Sequence, residues 1–172
     1  WPVITVGRAG GRENLRPGRE KLPEQAAVVH LTDRGGNITC HNPGQIVGYP
    51  IFNLSRWRQD AHWYVGCLEE VLIRVLADYG LAAGRKACYT GVWVGNEKIA
   101  AIGVSIRRWI TGHGFAMNVA NDLSLFEVIV PCGIRDFGVT SMVRAGVNVT
   151  PAEVKETVIR EFGQIFACDW GR

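Results

Sequence analysis

The sequence predicts an α+β fold in which helices cover one face of a mostly antiparallel sheet. Two observations carry this. Short apolar runs punctuated by Gly, Asn and Pro fill the middle of the chain, as strands joined by tight turns do. Two longer stretches, Asp60 to Tyr79 and the one opening at Thr150, repeat apolar residues at the spacing of a single helix face. Strands in the middle with two amphipathic helices to cover them give a layered α+β sandwich. The 172 residues, 47% hydrophobic and 20% charged, suit one domain with its own core, taken here as 1–172. No apolar run reaches the roughly 18 residues of a membrane span, and there is no internal repeat or low-complexity tract.

In order, Trp1 to Gly7 reads as a strand and Arg8 to Pro23 as a Gly/Arg loop. Gly7-Arg8-Ala9-Gly10-Gly11-Arg12 lacks the lysine and hydroxyl residue of a phosphate loop, so a nucleotide-cradling role is rejected. Ala26 to Leu31 is a short strand, and Arg34-Gly35-Gly36 a tight turn. Ile46 to Leu54 is strand-like, with Pro50 marking an edge or a bend. Asp60 can cap the first helix and Gly80 end it; Val65, Leu68, Leu72, Val75, Leu76 and Tyr79 form its apolar face. Val92 to Val94 and Ile99 to Ile106 flank a turn at Gly95-Asn96. Trp109 to Val119 should run antiparallel to its predecessor, and Asn121 to Phe126 is a short turn or helix. Thr150, Pro151 and Glu153 make a capping box, followed by the stripe Val154, Val158, Phe162, Ile165 and Phe166.

The net charge of +3 is mild; the cluster Arg8, Arg12, Arg16, Arg19 and Lys21 reads first as a solvated loop and second as a patch for an acidic partner. Neither nucleic acid nor a membrane is expected as a partner. Five cysteines, with no C-x-x-C pair, argue against a disulfide framework or a zinc site and for a reducing compartment. Four histidines without a spaced pair make no metal site. Cys67, Cys88 and Cys168 read as small buried hydrophobes. Cys132 differs, because Pro131 and Gly133 place it on a loop at an element end. Cys40, beside His41 in a Gly-rich turn, is its rival. His113 lies between two glycines, which let a backbone approach a ligand closely. Lys98 opens a strand, so its amine sits at a sheet end; taken alone, it would point into solvent. An amine and a thiol at the ends of neighbouring elements suggest an activated nucleophile.

The stretch Arg34-Gly35-Gly36-Asn37-Ile38-Thr39-Cys40-His41-Asn42-Pro43-Gly44-Gln45-Ile46-Val47-Gly48-Tyr49-Pro50 closely resembles the RGGQ-x-TYHGPGQ-x-x-x-YP signature of octanoyltransferases, the lipoate-protein ligase B family. Lys98-Ile99-Ala100-Ala101-Ile102-Gly103, Gly112 to Asn118, Pro131-Cys132-Gly133-Ile134 and Val139-Thr140-Ser141 are similar to its later blocks, in order. Asn37, Cys40 and Asn42 depart from the signature, and Phe115 and Met117 stand where leucine is common. The resemblance implies the α+β catalytic domain of biotin and lipoate ligases. It implies Cys132 as the acyl-thioester cysteine and Lys98 as its activating lysine. It implies acyl-binding segments at Arg34 to His41 (Arg34, Gly35, Gly36, Asn37, Ile38, Thr39, Cys40, His41), at Ala101, Ile102 and Gly103, and at Gly114, Phe115 and Ala116, with His113 and Asn118 in support.

The reaction so implied moves an octanoyl (or lipoyl) group from acyl carrier protein to a lysine of the lipoyl domains of 2-oxoacid dehydrogenase complexes and of the glycine cleavage H protein. No ATP, metal or other cofactor is expected, because the group arrives as a thioester. Rival readings are an ATP-dependent lipoate or biotin ligase, a Cys-His hydrolase with His113 or His41 as base, and a non-catalytic acyl- or carrier-binding module. Family members carry a strand and helix ahead of the block matching Trp1 to Arg8, so this chain is expected to lack them and to expose a sheet edge. A monomer is expected, in the bacterial cytoplasm or in a mitochondrial or plastid matrix.

Overall fold

The computed structural model describes residues 2–16, 29–130 and 137–168. Its strands are β1 (Val3–Val6), β2 (Val29–Leu31), β3 (Ile38–His41), β4 (Gln45–Gly48), β5 (Ala83–Lys86), β6 (Tyr89–Val94), β7 (Glu97–Arg107), β8 (Ile110–Asn118) and β9 (Gly138–Val139), and its helices are α1 (Ala61–Asp78) and α2 (Pro151–Phe166). They form two sheets: three strands in the order β2-β1-β3, and six built on β4-β8-β7-β6-β5 with β9 added beside β7. Pairing is antiparallel except for β1 with β2 and β7 with β9. The α+β reading therefore holds, with a second small sheet that the sequence did not reveal.

Both helices pack on one face of the larger sheet. Asp60 accepts a hydrogen bond from the Trp63 amide, and Gly80 closes α1 at φ +75°. The buried stripe of α1 is Tyr64, Leu68, Val71, Leu72, Val75 and Leu76. Tyr64 takes the place expected of Val65, and its hydroxyl donates to the Pro50 carbonyl at 3.0 Å. The capping box of α2 forms as expected, with Thr150 accepting from the Glu153 amide and Glu153 accepting from the Thr150 amide. Phe162 and Phe166 stack 5.5 Å apart and tie α2 to the sheet through Phe115 and Phe52.

A second core lies on the outer side of the small sheet, made of Ile4, Val6, Ile38, Cys40, Leu125 and Ile129. Side chains alternate along β1 and β3, so these residues turn outward while Val3, Thr5, Thr39 and His41 turn inward toward the larger sheet. The segment expected as one strand from Ile46 to Leu54 is continuous strand only to Gly48; beyond Pro50 it keeps an isolated bridge between Asn53 and Ile110 and passes into a 3-10 turn at Leu54–Arg56. Asn121 to Phe126 becomes a 3-10 turn at Ser124–Val128. Cys88 is not buried: it is exposed at φ 68° in the turn between β5 and β6. Among the described residues no helix is long and apolar enough to cross a membrane.

Candidate active site

The two sheets face one another across a cavity of about 240 Å³. Its walls are Val3 and Thr5 of β1, Thr39 and His41 of β3, Val47 of β4, Ala101 to Gly103 of β7 and Gly114 to Ala116 of β8. Most of this surface is apolar, which suits a hydrocarbon chain. Glycine makes the close approach possible. A Cβ on Gly103 would sit 2.7 Å from the Gly35 carbonyl oxygen across the gap, while within the larger sheet one on Gly114 would sit 2.2 Å from that of Gly48 on the neighbouring strand. The Gly35 amide donates to the Val104 carbonyl at 2.8 Å, fastening the glycine turn to β7. Arg34 crosses the same gap, donating to the Thr5 carbonyl and hydroxyl, each at 2.9 Å.

Next to this cavity, and sharing Thr39, Ala101 and Ala116 with it, is a small chamber of about 20 Å³ that also touches Lys98, Gln45, Asn118, Phe126 and Val139. Lys98 is 8% exposed, so the solvent-pointing position expected of a strand-opening lysine is not the one it takes. Its Nζ donates to the Thr90 carbonyl at 2.9 Å and lies 4.9 Å from the centre of the Trp93 ring. Room for the side chain comes from Gly91, at φ +124°, where a Cβ would meet the Ala100 carbonyl oxygen at 2.5 Å and the Lys98 Nζ at 3.4 Å. The Gly91 amide donates to Glu69 of α1, and Glu69 is also paired with Arg85.

Polar side chains brace the chamber. Gln45 donates to Asn118 Oδ1 at 2.8 Å and to the Cys40 carbonyl at 3.3 Å, and stands 3.3 Å from His41 Nδ1. Asn118 in turn donates to the Thr140 carbonyl at 2.9 Å. Burial pushes the His41 imidazole below its ordinary range, opposed by the Gln45 contact and aided by the Arg34 charge. At the far end of the cavity His113, left-handed at φ 57°, contacts Asp33 Oδ1 through Nε2 at 2.6 Å. The Asp33 carboxyl is held below its usual range chiefly by that bond.

Of the expected acyl-binding residues, Arg34, Gly36, Asn37, Thr39, His41, Ala101, Ile102, Gly103, Gly114, Phe115 and Ala116 border the cavity, and so does His113. Gly35 instead backs the wall through its hydrogen bond to β7. Ile38 and Cys40 do not line the cavity, because strand alternation sends them to the second core. Cys40 is fully buried, its Sγ 3.3 Å from the Leu125 carbonyl, and burial pushes the thiol up to about 12. That disqualifies it as the rival nucleophile, since the thiolate is the reactive form. Asn118 reaches the chamber, not the cavity. Cys132, with Pro131 and Gly133, lies outside the described residues. Gln45, Tyr49 and Gly91 were not foreseen; Gln45 and Tyr49 stand in the signature stretch, while Gly91 stood just ahead of the strand expected at Val92 to Val94 and carried no local signal.

A family model, "Lipoyl protein ligase A/B catalytic domain", matches residues 1–163. The chain belongs to this family of enzymes. More particularly, it is 52% identical over 166 residues to the octanoyltransferase of Thermoanaerobacter sp. (strain X514), covering 96% of this chain and 72% of that one. It is 48% identical over 168 residues to the octanoyltransferase of Clostridium kluyveri, covering 98% and 72%. Among solved structures, lipoate-protein ligase A bound with ATP superposes with a TM-score of 0.76 at 18% identity, over 99% of this chain and 71% of that one; at such identity the likeness is one of fold. These findings bear out the motif resemblance and the ligase-like fold.

Proposed function

We propose that the chain transfers an octanoyl group from acyl carrier protein to a lysine of lipoyl domains, by way of a thioester on Cys132. The observation that carries this reading is a buried lysine, Lys98, in a chamber that adjoins an apolar cavity. The acyl tail lies between the sheets and its carbonyl comes to the Lys98 end. The Cys132 thiolate attacks the thioester carbonyl; a new C–S bond forms, the carrier's C–S bond breaks, and the carrier's sulfur leaves with the proton of the Lys98 ammonium. The acceptor amine, its first proton passed to neutral Lys98, then attacks the enzyme thioester; the amide C–N bond forms, the nitrogen sheds its second proton to solvent, and the Cys132 sulfur leaves as thiolate.

A free thiol, with a pKa of about 8.5, is only slightly ionised at neutral pH. Lys98 as an ammonium stabilises the thiolate; as a neutral amine it takes the acceptor's proton. Because a thioester is already activated, no ATP or metal is required. The two half-identical relatives named above are octanoyltransferases, which favours this over an adenylating ligase. The acceptors are the lipoyl domains of 2-oxoacid dehydrogenase complexes and of the glycine cleavage H protein.

The test uses octanoyl-carrier and apo lipoyl domain without ATP, read by mass spectrometry. The domain should gain one octanoyl group. With donor alone, the enzyme should gain the same mass in a hydroxylamine-labile linkage that Cys132→Ser abolishes. A labile adduct surviving in Cys132→Ser would refute the assignment of the nucleophile. Free octanoic acid in place of modified domain would point to a hydrolase.

A further inference from the structure

A third space adjoins the Lys98 chamber. It is a cleft of about 510 Å³ that shares Phe126 and Val139 with the chamber and is bordered further by Phe137, Arg16, Glu97 and Arg144. The three spaces differ in character: apolar around the tail, narrow at Lys98, and charged here at the rim. Phe126 and Phe137 supply apolar wall, and the two arginines supply cations. Three acids border the cleft as well: Asp122, which accepts from the Ser124 amide and hydroxyl, Glu127, and Glu97, which meets Arg144 at 3.6 Å. That pair is loose, and the Arg144 side chain is 61% exposed, so its guanidinium can turn to another anion at little cost.

Resting on the acyl-transfer reading, we propose that this cleft receives the thiol arm of the acyl donor, and that Arg144 binds the arm's phosphate. Carrier proteins bear their acyl groups on phosphopantetheine, a slender chain of two amides with an anion at its far end. Laid in the cleft, its thioester reaches the Lys98 chamber while the octanoyl tail continues between the sheets. Guanidinium suits the phosphate because its fork of N–H donors matches two oxygens at once. Arg144 is then a specificity-determining residue for the donor, with no part in bond making.

The test compares octanoyl-phosphopantetheine with octanoyl-pantetheine, which lacks only the phosphate, as donors to apo lipoyl domain. With the unaltered chain, the phosphorylated donor should have the lower KM, and its advantage should shrink as salt is raised. Arg144→Ala should raise KM for the phosphorylated donor about tenfold, in line with one exposed charge-assisted hydrogen bond. Arg144→Glu should raise it further. Both variants should leave KM for octanoyl-pantetheine, kcat and the melting temperature unchanged. Equal effects on the two donors, no effect on either, or a change confined to the KM of the lipoyl domain would overturn the proposal. Failure of the unaltered chain to transfer from either donor would instead strike the acyl-transfer reading itself.

Discussion

Lys98 is held by its surroundings more tightly than a strand-opening lysine ordinarily is. The Thr90 carbonyl and the Trp93 face fix its amine, and the missing side chain of Gly91 leaves it room. Lys98→Ala should slow both acylation of Cys132 and transfer to the acceptor, each by about 10²–10⁴-fold. Lys98→Arg keeps a cation but no base, so it should recover acylation and leave transfer slow. Single-turnover measurement of the two steps separates these outcomes; near-normal rates for both in Lys98→Ala would remove the residue from the mechanism. Gly91→Ala forces a side chain onto a positive φ and against the Ala100 carbonyl. It should cost about 1–3 kcal/mol of stability and displace Lys98, so acylation falls as well. His41 supplies a pH signature. Its folded pKa is depressed, so the unfolded chain binds the proton more readily. Stability is therefore full above the unfolded value of about 6.5 and falls as pH drops from there through the folded value. In denaturant titrations across that window, His41→Asn should flatten the slope; an unchanged slope would show that other groups set it.

Among the elements, β3 teaches most about what the sequence disclosed. Its residues Ile38-Thr39-Cys40-His41 lie between glycine-rich turns, and from the sequence the stretch read as part of a turn. As a strand it divides its side chains, Thr39 and His41 to the cavity and Ile38 and Cys40 to the second core. The signature marked the segment, but only the pleat tells which residues of it face the cavity. The helices, by contrast, were legible almost to their ends, because caps and periodic apolar residues are local signals: Asp60 and the Thr150–Glu153 box behave as their types dictate. β5 escaped notice since Ala83-Gly84-Arg85-Lys86 has neither β-branched residues nor alternation, and long-range pairing with β6 alone makes it a strand. The side-by-side placement of two sheets was likewise invisible, being fixed by contacts such as Gly35 to Val104 that join distant parts of the chain. Burial divides the thiols as well. Under native conditions near pH 8, a maleimide should label Cys88 readily and leave Cys40 untouched until the protein unfolds, as mass mapping of the adducts would reveal. Prompt native labelling of Cys40 would mean that the second core opens easily.

At the scale of the whole molecule, the proposed reaction makes the space between the sheets the measure of what chain can be carried. Ala116→Leu adds bulk at its wall, so the preferred donor should become shorter than octanoyl while kcat for a short acyl donor is retained. An unaltered chain-length profile would place the acyl tail elsewhere. The cavity also lies where another protein would have packed side chains of its own. Two layers that meet at a glycine backbone around a gap are an interior left unfinished, and on the proposed reading the acyl chain completes it. Each methylene taken from water there is worth about 0.8 kcal/mol, so the loaded protein should melt several degrees above the empty one. The same contacts resist letting the tail go. If the acyl group is carried on Cys132 as proposed, the acyl-enzyme is the best-packed form the molecule takes, and the handover of the acyl group is also the moment at which the protein gives up part of its own interior.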